Sequence, residues 1–109
     1  MPCSMTNNRA RILCIGKDPG LLRSRCAVLA HGGYDAQAVM FVDAESLLRT
    51  SSFDLIILSA ILNDEERLQI TALVGDPMRI LILKKLIFAS ELLAEVERRL
   101  LKTRQDSMA

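Results

Sequence analysis

Gly16-Lys17-Asp18-Pro19-Gly20 follows an apolar run and opens a helical pattern, the place where backbone amides collect phosphate in many α/β proteins. The loop has neither the GxxxxGK[ST] nor the GxGxxG spacing, and Pro19 removes one amide donor. Asp18 reads instead as a helix N-cap, with Pro19 pre-set in φ at the first helical position. His31 is the only histidine. Acid–base work would need a nucleophile or acid within hydrogen-bond reach. The strand rims offer only Ser59, and His31 falls at the opposite end of its helix. Asp64, Glu65 and Glu66 form the one acidic cluster near those rims. A hard cation needs several oxygens from different loops, and Lys84 and Lys85 stand there instead. A salt bridge at the helix start, or solvation, is the expectation. Cys3, Cys14 and Cys26 make an odd count with no CxxC spacing. That argues against a disulfide framework and for a reducing, cytoplasmic compartment. Cys14 in a strand pattern and Cys26 on a helix face read as small hydrophobes.

The elements that must hold these residues are marked by apolar runs and by Gly, Pro and Asp punctuation. Residues 11–16 (RILCIG) read as a buried strand. Asp18-Pro19 starts a helix carrying Leu21, Leu22, Cys26 and Leu29, and Gly32-Gly33 stops it. Residues 34–40 (YDAQAVM) alternate as a half-exposed edge strand does. Asp43 then caps a short helix reaching about Arg49. Residues 53–60 (FDLIILSA) contain LIIL, apolar on both faces, which suits a central parallel strand. Asn63 or Asp64 caps a helix ended by Gly75-Asp76-Pro77. Residues 78–83 (MRILIL) form another strand, and Ser90 opens a last helix. The alternation predicts a three-layer, flavodoxin-like α/β domain. Its parallel sheet should run 2-1-3-4, with a fifth strand as the alternative. Residues 1–10 read as a flexible lead-in, 11–102 as the domain and 103–109 as a flexible tail.

The 109 residues fit one domain, and half of them are apolar, enough for an aliphatic core. Charge is nearly balanced at +1. The short basic cluster Arg98, Arg99, Lys102 and Arg104 reads as a solvated helix end, so nucleic acid is not an expected partner. No apolar window approaches a membrane span, so no membrane partner is expected either.

The segments ILCIGKDPGLLRSRCAVLAHGGYDAQAV, AESLL, FDLIILSAIL and SELLAEVERRLL resemble the receiver domain of bacterial, chemotaxis-regulator-like response regulators of two-component signal transduction. The resemblance spans about residues 11–102. It implies a phosphorelay module with an acidic pair closing the first strand to hold magnesium. It also implies an aspartyl phosphoacceptor ending the third strand and a Ser/Thr switch after the fourth. Here the acidic pair falls on Gly16 and Lys17, and Asp18 matches the following position. The phosphoacceptor falls on Ser59 and the switch on Lys84. Ser59 cannot form an acyl phosphate, and Lys17 puts a cation where the metal would sit. The expectation is therefore a degenerate, pseudo-receiver domain that is not an enzyme and holds no metal or cofactor. It would act through contacts with a protein partner, including a second copy of itself. Only residues 84–89 separate MRILIL from SELLAEV, where the family places a helix and a fifth strand. Either that unit is deleted or MRILILKK is the fifth strand. The lead-in Gly75-Asp76-Pro77 favours the deletion, which would leave a sheet edge and Leu86, Ile87 and Phe88 as a candidate interface. The alternatives are a phosphorelay regulator with an unconventional acceptor, or a small nucleotide-binding or enzymatic α/β domain.

Overall fold

The computed structural model describes residues 10–83 and 89–108, with side chains through Leu101. Lys84, Leu86, Ile87 and Phe88 lie outside the described residues. Four strands, β1 (Arg11–Gly16), β2 (Asp35–Met40), β3 (Leu55–Leu58) and β4 (Ile80–Ile82), form one sheet in the order β2-β1-β3-β4. Every pairing is parallel: Cys14 lies opposite Ala38 on one side and Ile57 on the other, and Ile57 opposite Leu81. The order and class are those the alternation predicts.

The helices are α1 (Pro19–His31), α2 (Phe41–Thr50), α3 (Asp64–Val74) and α4 (Ala89–Met108). Successive strand residues point to opposite faces, so the sheet splits the core in two. Ile12, Cys14, Leu55, Ile57 and Leu81 pack under α1 and α4, against Leu22, Leu29, Leu92 and Val96. Leu13, Ile15, Ile56, Leu58 and Ile80 pack under α2 and α3, against Ala44 and Ile70. All four residues of β3 are buried, the burial of a strand covered on both sides. Full burial of each such Leu or Ile is worth about 1.5–3 kcal/mol. β2 at the sheet edge has no fully buried residue, as its alternating sequence implies.

Local chemistry sets most boundaries. Asp18 accepts from the amides of Gly20 and Leu21 and caps α1, with Pro19 in the first turn. Asn63 caps α3 in a reciprocal box with Glu66. Gly75 ends α3 at φ 80°, a left-handed conformation that costs glycine nothing.

Three boundaries differ from expectation. Helix α2 begins at Phe41, directly out of β2, with Met40 as a cap that makes no side-chain bond. Asp43 sits inside its first turn, where it still complements the dipole. β4 is shorter than residues 78–83, because Asp76 and Pro77 set up a 3-10 turn over Pro77–Arg79. Helix α4 continues to Met108, past Thr103 where a loose tail is expected, since no Gly or Pro interrupts residues 89–108.

Candidate functional site

In the order 2-1-3-4 the connections from β1 and β3 leave in opposite directions. The carboxyl ends of these two strands therefore form the crevice where ligands bind in such sheets. Gly16, Lys17, Asp18 and Ser59 lie at these two strand ends, with Gly16 against Ser59.

The two strand ends touch. The Ser59 amide donates to Ile15 O at 3.0 Å, which extends the β1–β3 ladder to the rim. A Cβ placed on Gly16 would stand 3.1 Å from Ser59 Cβ and 3.2 Å from Leu22 Cδ2. Glycine is thus the residue that allows β1 and the β3–α3 turn to meet. Ser59 is buried, at 4% exposure, and its Oγ accepts from the Ile61 amide at 3.4 Å while its carbonyl accepts from Leu62 N. Its hydroxyl organises the turn. With His31 exposed at the far end of α1, no imidazole adjoins it as a base.

The charged residues of the rim are engaged with one another. Lys17 Nζ lies 2.8 Å from Glu66 Oε2. Glu66 Oε1 accepts from the Asn63 amide at 2.9 Å, and Asn63 Oδ1 accepts from Glu66 N at 2.8 Å. Asp64 pairs with Arg67 at 3.0 Å, and Arg67 Nη2 donates to Ala60 O. Asp18 is occupied by the α1 amides. Of the two expectations for the start of α3, a salt bridge or solvation, the structure shows a salt bridge at Glu66, and its lysine is Lys17. The pairing spans 49 positions of sequence and joins two loops. No periodicity encodes it. Among the described residues, no three His, Cys, Asp or Glu side chains converge as a metal site would require.

Lys17 first, and then the Asn63 amide, hold the Glu66 carboxyl below its ordinary range. A carboxylate whose folded pKa is depressed adds stability above its unfolded value, near 4.5, and that stability is lost as pH falls through the folded pKa. Glu66→Gln is therefore expected to lower the urea midpoint at neutral pH and to flatten the loss of stability below pH ~4.5. Midpoints measured from pH 3 to 7 for both chains check this. Parallel curves would show that Lys17 and Glu66 are not coupled in solution.

A second feature was not flagged by sequence. A cavity of about 360 Å³ lies between α2 and α3, lined by Phe41, Val42, Ile70 and Leu73 with Glu45 and Gln69 at its polar side. Val42 there is 83% exposed. The early start of α2 brings Phe41 and Val42 onto a helix and so creates this surface.

No protein-family model matches the chain, and no curated protein matches it.

Proposed function

We propose that the chain is a degenerate receiver-like domain, a signal-transduction module that works through protein contacts without aspartyl phosphorylation. The observation that carries this reading is the filled rim. The three positions that would need carboxylates hold a glycine packed on Ser59, a lysine paired to Glu66, and a buried serine. The Lys17–Glu66 bridge ties the β1–α1 loop to α3 and supports this reading by engaging Lys17 with a side chain of the rim itself. The apolar surface around Val42 between α2 and α3 suits a protein partner, a second copy of this chain included. No described helix is long and apolar enough to cross a membrane.

Magnesium titration followed by chemical shifts, with and without beryllofluoride, tests the reading. The expected result is no saturable shift at residues 16–18, 59 or 64–66, and no labelling by acetyl phosphate. Saturable shifts clustered there would establish the alternative, a phosphorelay regulator with an unconventional acceptor.

A further inference from the structure

The sheet has two edges. β4 spans 3 residues and β2 spans 6. Proteins shield a strand edge by keeping it short, by placing Lys or Pro on it, or by a bulge. β4 is short, but β2 carries none of these devices. Residues 35–40 (DAQAVM) hold no Lys and no Pro, and all pair with β1 in unbroken register. Their one charge, Asp35, lies at the end of the strand, 3.9 Å from Arg11. The Asp35 amide donates to Ala10 O at 3.0 Å. In a parallel ladder alternate residues bond to the same neighbour, so residues 35, 37 and 39 turn toward β1. The N–H and C=O groups of Ala36, Ala38 and Met40 therefore face outward along the edge, where no described strand pairs with them.

The side chains of these same three residues line a groove of about 380 Å³ against α1, together with Leu22, Arg23 and Cys26. Two arginines stand on this part of α1 and differ in reach. Arg25 turns inward, is only 5% exposed, and cannot meet an outside ligand. Arg23 is exposed and is the only charged residue lining the groove. It has no ion pair among the described residues. Backbone groups for a strand, a trough of apolar side chains and one unanswered cation thus lie side by side.

We propose that the β2 edge and the α1–β2 groove bind an extended segment of a partner protein as an added strand. Its alternate, apolar side chains lie along Ala36, Ala38 and Met40, and one carboxylate among them meets Arg23. Main-chain bonds supply the affinity in this mode of recognition, and the alternate side chains supply the selectivity. The charge argues against a second copy as the occupant. Two β2 edges paired about a two-fold axis normal to the sheet would put both grooves on the same face, each bringing an arginine and neither an acid. The inference is independent of the receiver-like reading and uses a different surface from the α2–α3 cavity.

The test titrates the full-length, 15N-labelled chain with the peptide acetyl-Val-Thr-Val-Thr-Glu-Thr-Val-amide, which carries Val and Glu on one face as a strand. Saturable shifts are expected at residues 36–40 and 19–26. Exchange of the Ala36 and Ala38 amides should slow on binding, while that of Gln37 and Val39, already paired to β1, should not change. The same peptide with Lys in place of Glu should bind several-fold more weakly. Arg23→Glu, with unchanged circular dichroism, should reverse that preference. No saturable shift at millimolar peptide would overturn the proposal, as would shifts confined to the α2–α3 cavity. Equal binding of the Glu and Lys peptides would overturn the role of Arg23, whether or not the Arg23→Glu chain folds. A chain that dimerises in sedimentation without peptide, with slowed exchange at Ala36 and Ala38, would make a second copy the occupant and overturn the partner assigned here.

Discussion

Gly16→Asp is expected to destabilise the domain by at least about 1–3 kcal/mol, the usual cost of overpacking a filled site. The new Cβ would meet Ser59 Cβ at 3.1 Å and Leu22 Cδ2 at 3.2 Å, both closer than ordinary contact. Ser59 and Leu22 are themselves buried, so relief requires one of them to shift. The carboxylate would then sit on a buried strand end and add a desolvation cost. A domain of this size holds only about 5–15 kcal/mol in all. A urea midpoint lowered with unchanged slope is the expected readout. The consequence for function is sharp. Introducing acids by the triple change Gly16→Asp, Lys17→Asp, Ser59→Asp should not create magnesium binding, because the contact of Gly16 with Ser59 and Leu22 leaves little room for a carboxylate there. If Gly16→Asp is as stable as the parent and the triple variant binds magnesium, the rim has kept the geometry of an acidic pocket.

Ile57→Ala should be costlier still, about 2–5 kcal/mol by loss of burial and the cavity left behind. Ile57 is fully buried, flanked by Cys14 on β1 and Leu81 on β4, and packed with the side chains of α1 and α4. At roughly 4–8 °C per kcal/mol for small domains, this is a large fall in melting temperature. Val42→Ala, on the exposed groove between α2 and α3, should change stability by no more than about 0.5 kcal/mol. Calorimetry of the two variants checks the contrast. A loss below about 1 kcal/mol for Ile57→Ala would mean that β3 is not the centre of the sheet.

The layers and strand order were legible because they depend on local signals. LIIL at residues 55–58 has no polar face and so had to lie centrally, and YDAQAVM had one and so had to lie at an edge. Asp18-Pro19 and Asn63 announced their helices through short-range capping. The start of α2 was not legible, since Met40 caps it without a polar side chain. The shortening of β4 turned on whether Asp76-Pro77 would make a bend or a 3-10 turn. The site was half legible. Its positions followed from strand ends, but the Gly16–Ser59 contact and the Lys17–Glu66 bridge join residues far apart in sequence. Arg25 was the hardest. Arginine on an amphipathic helix normally belongs to the wet side, and only the packed structure shows this one turned inward.

The unbroken apolar character of β3 matters again once the chain is unfolded. Residues 55–58 (LIIL) and 80–83 (ILIL) carry no charge and no proline, the composition that stacks into cross-β fibrils. In the native sheet both segments are paired and covered. In a nascent or denatured chain they are neighbours of nothing, and β3 cannot be sheltered until β1 has been recruited across α1, β2 and α2. Asp54 and Arg79, each next to one of these segments, are the charges placed to slow self-association. Every substitution that weakens the fold therefore also lengthens the time in which aggregation competes with folding, and yield of soluble chain will fall before any property of the folded domain changes.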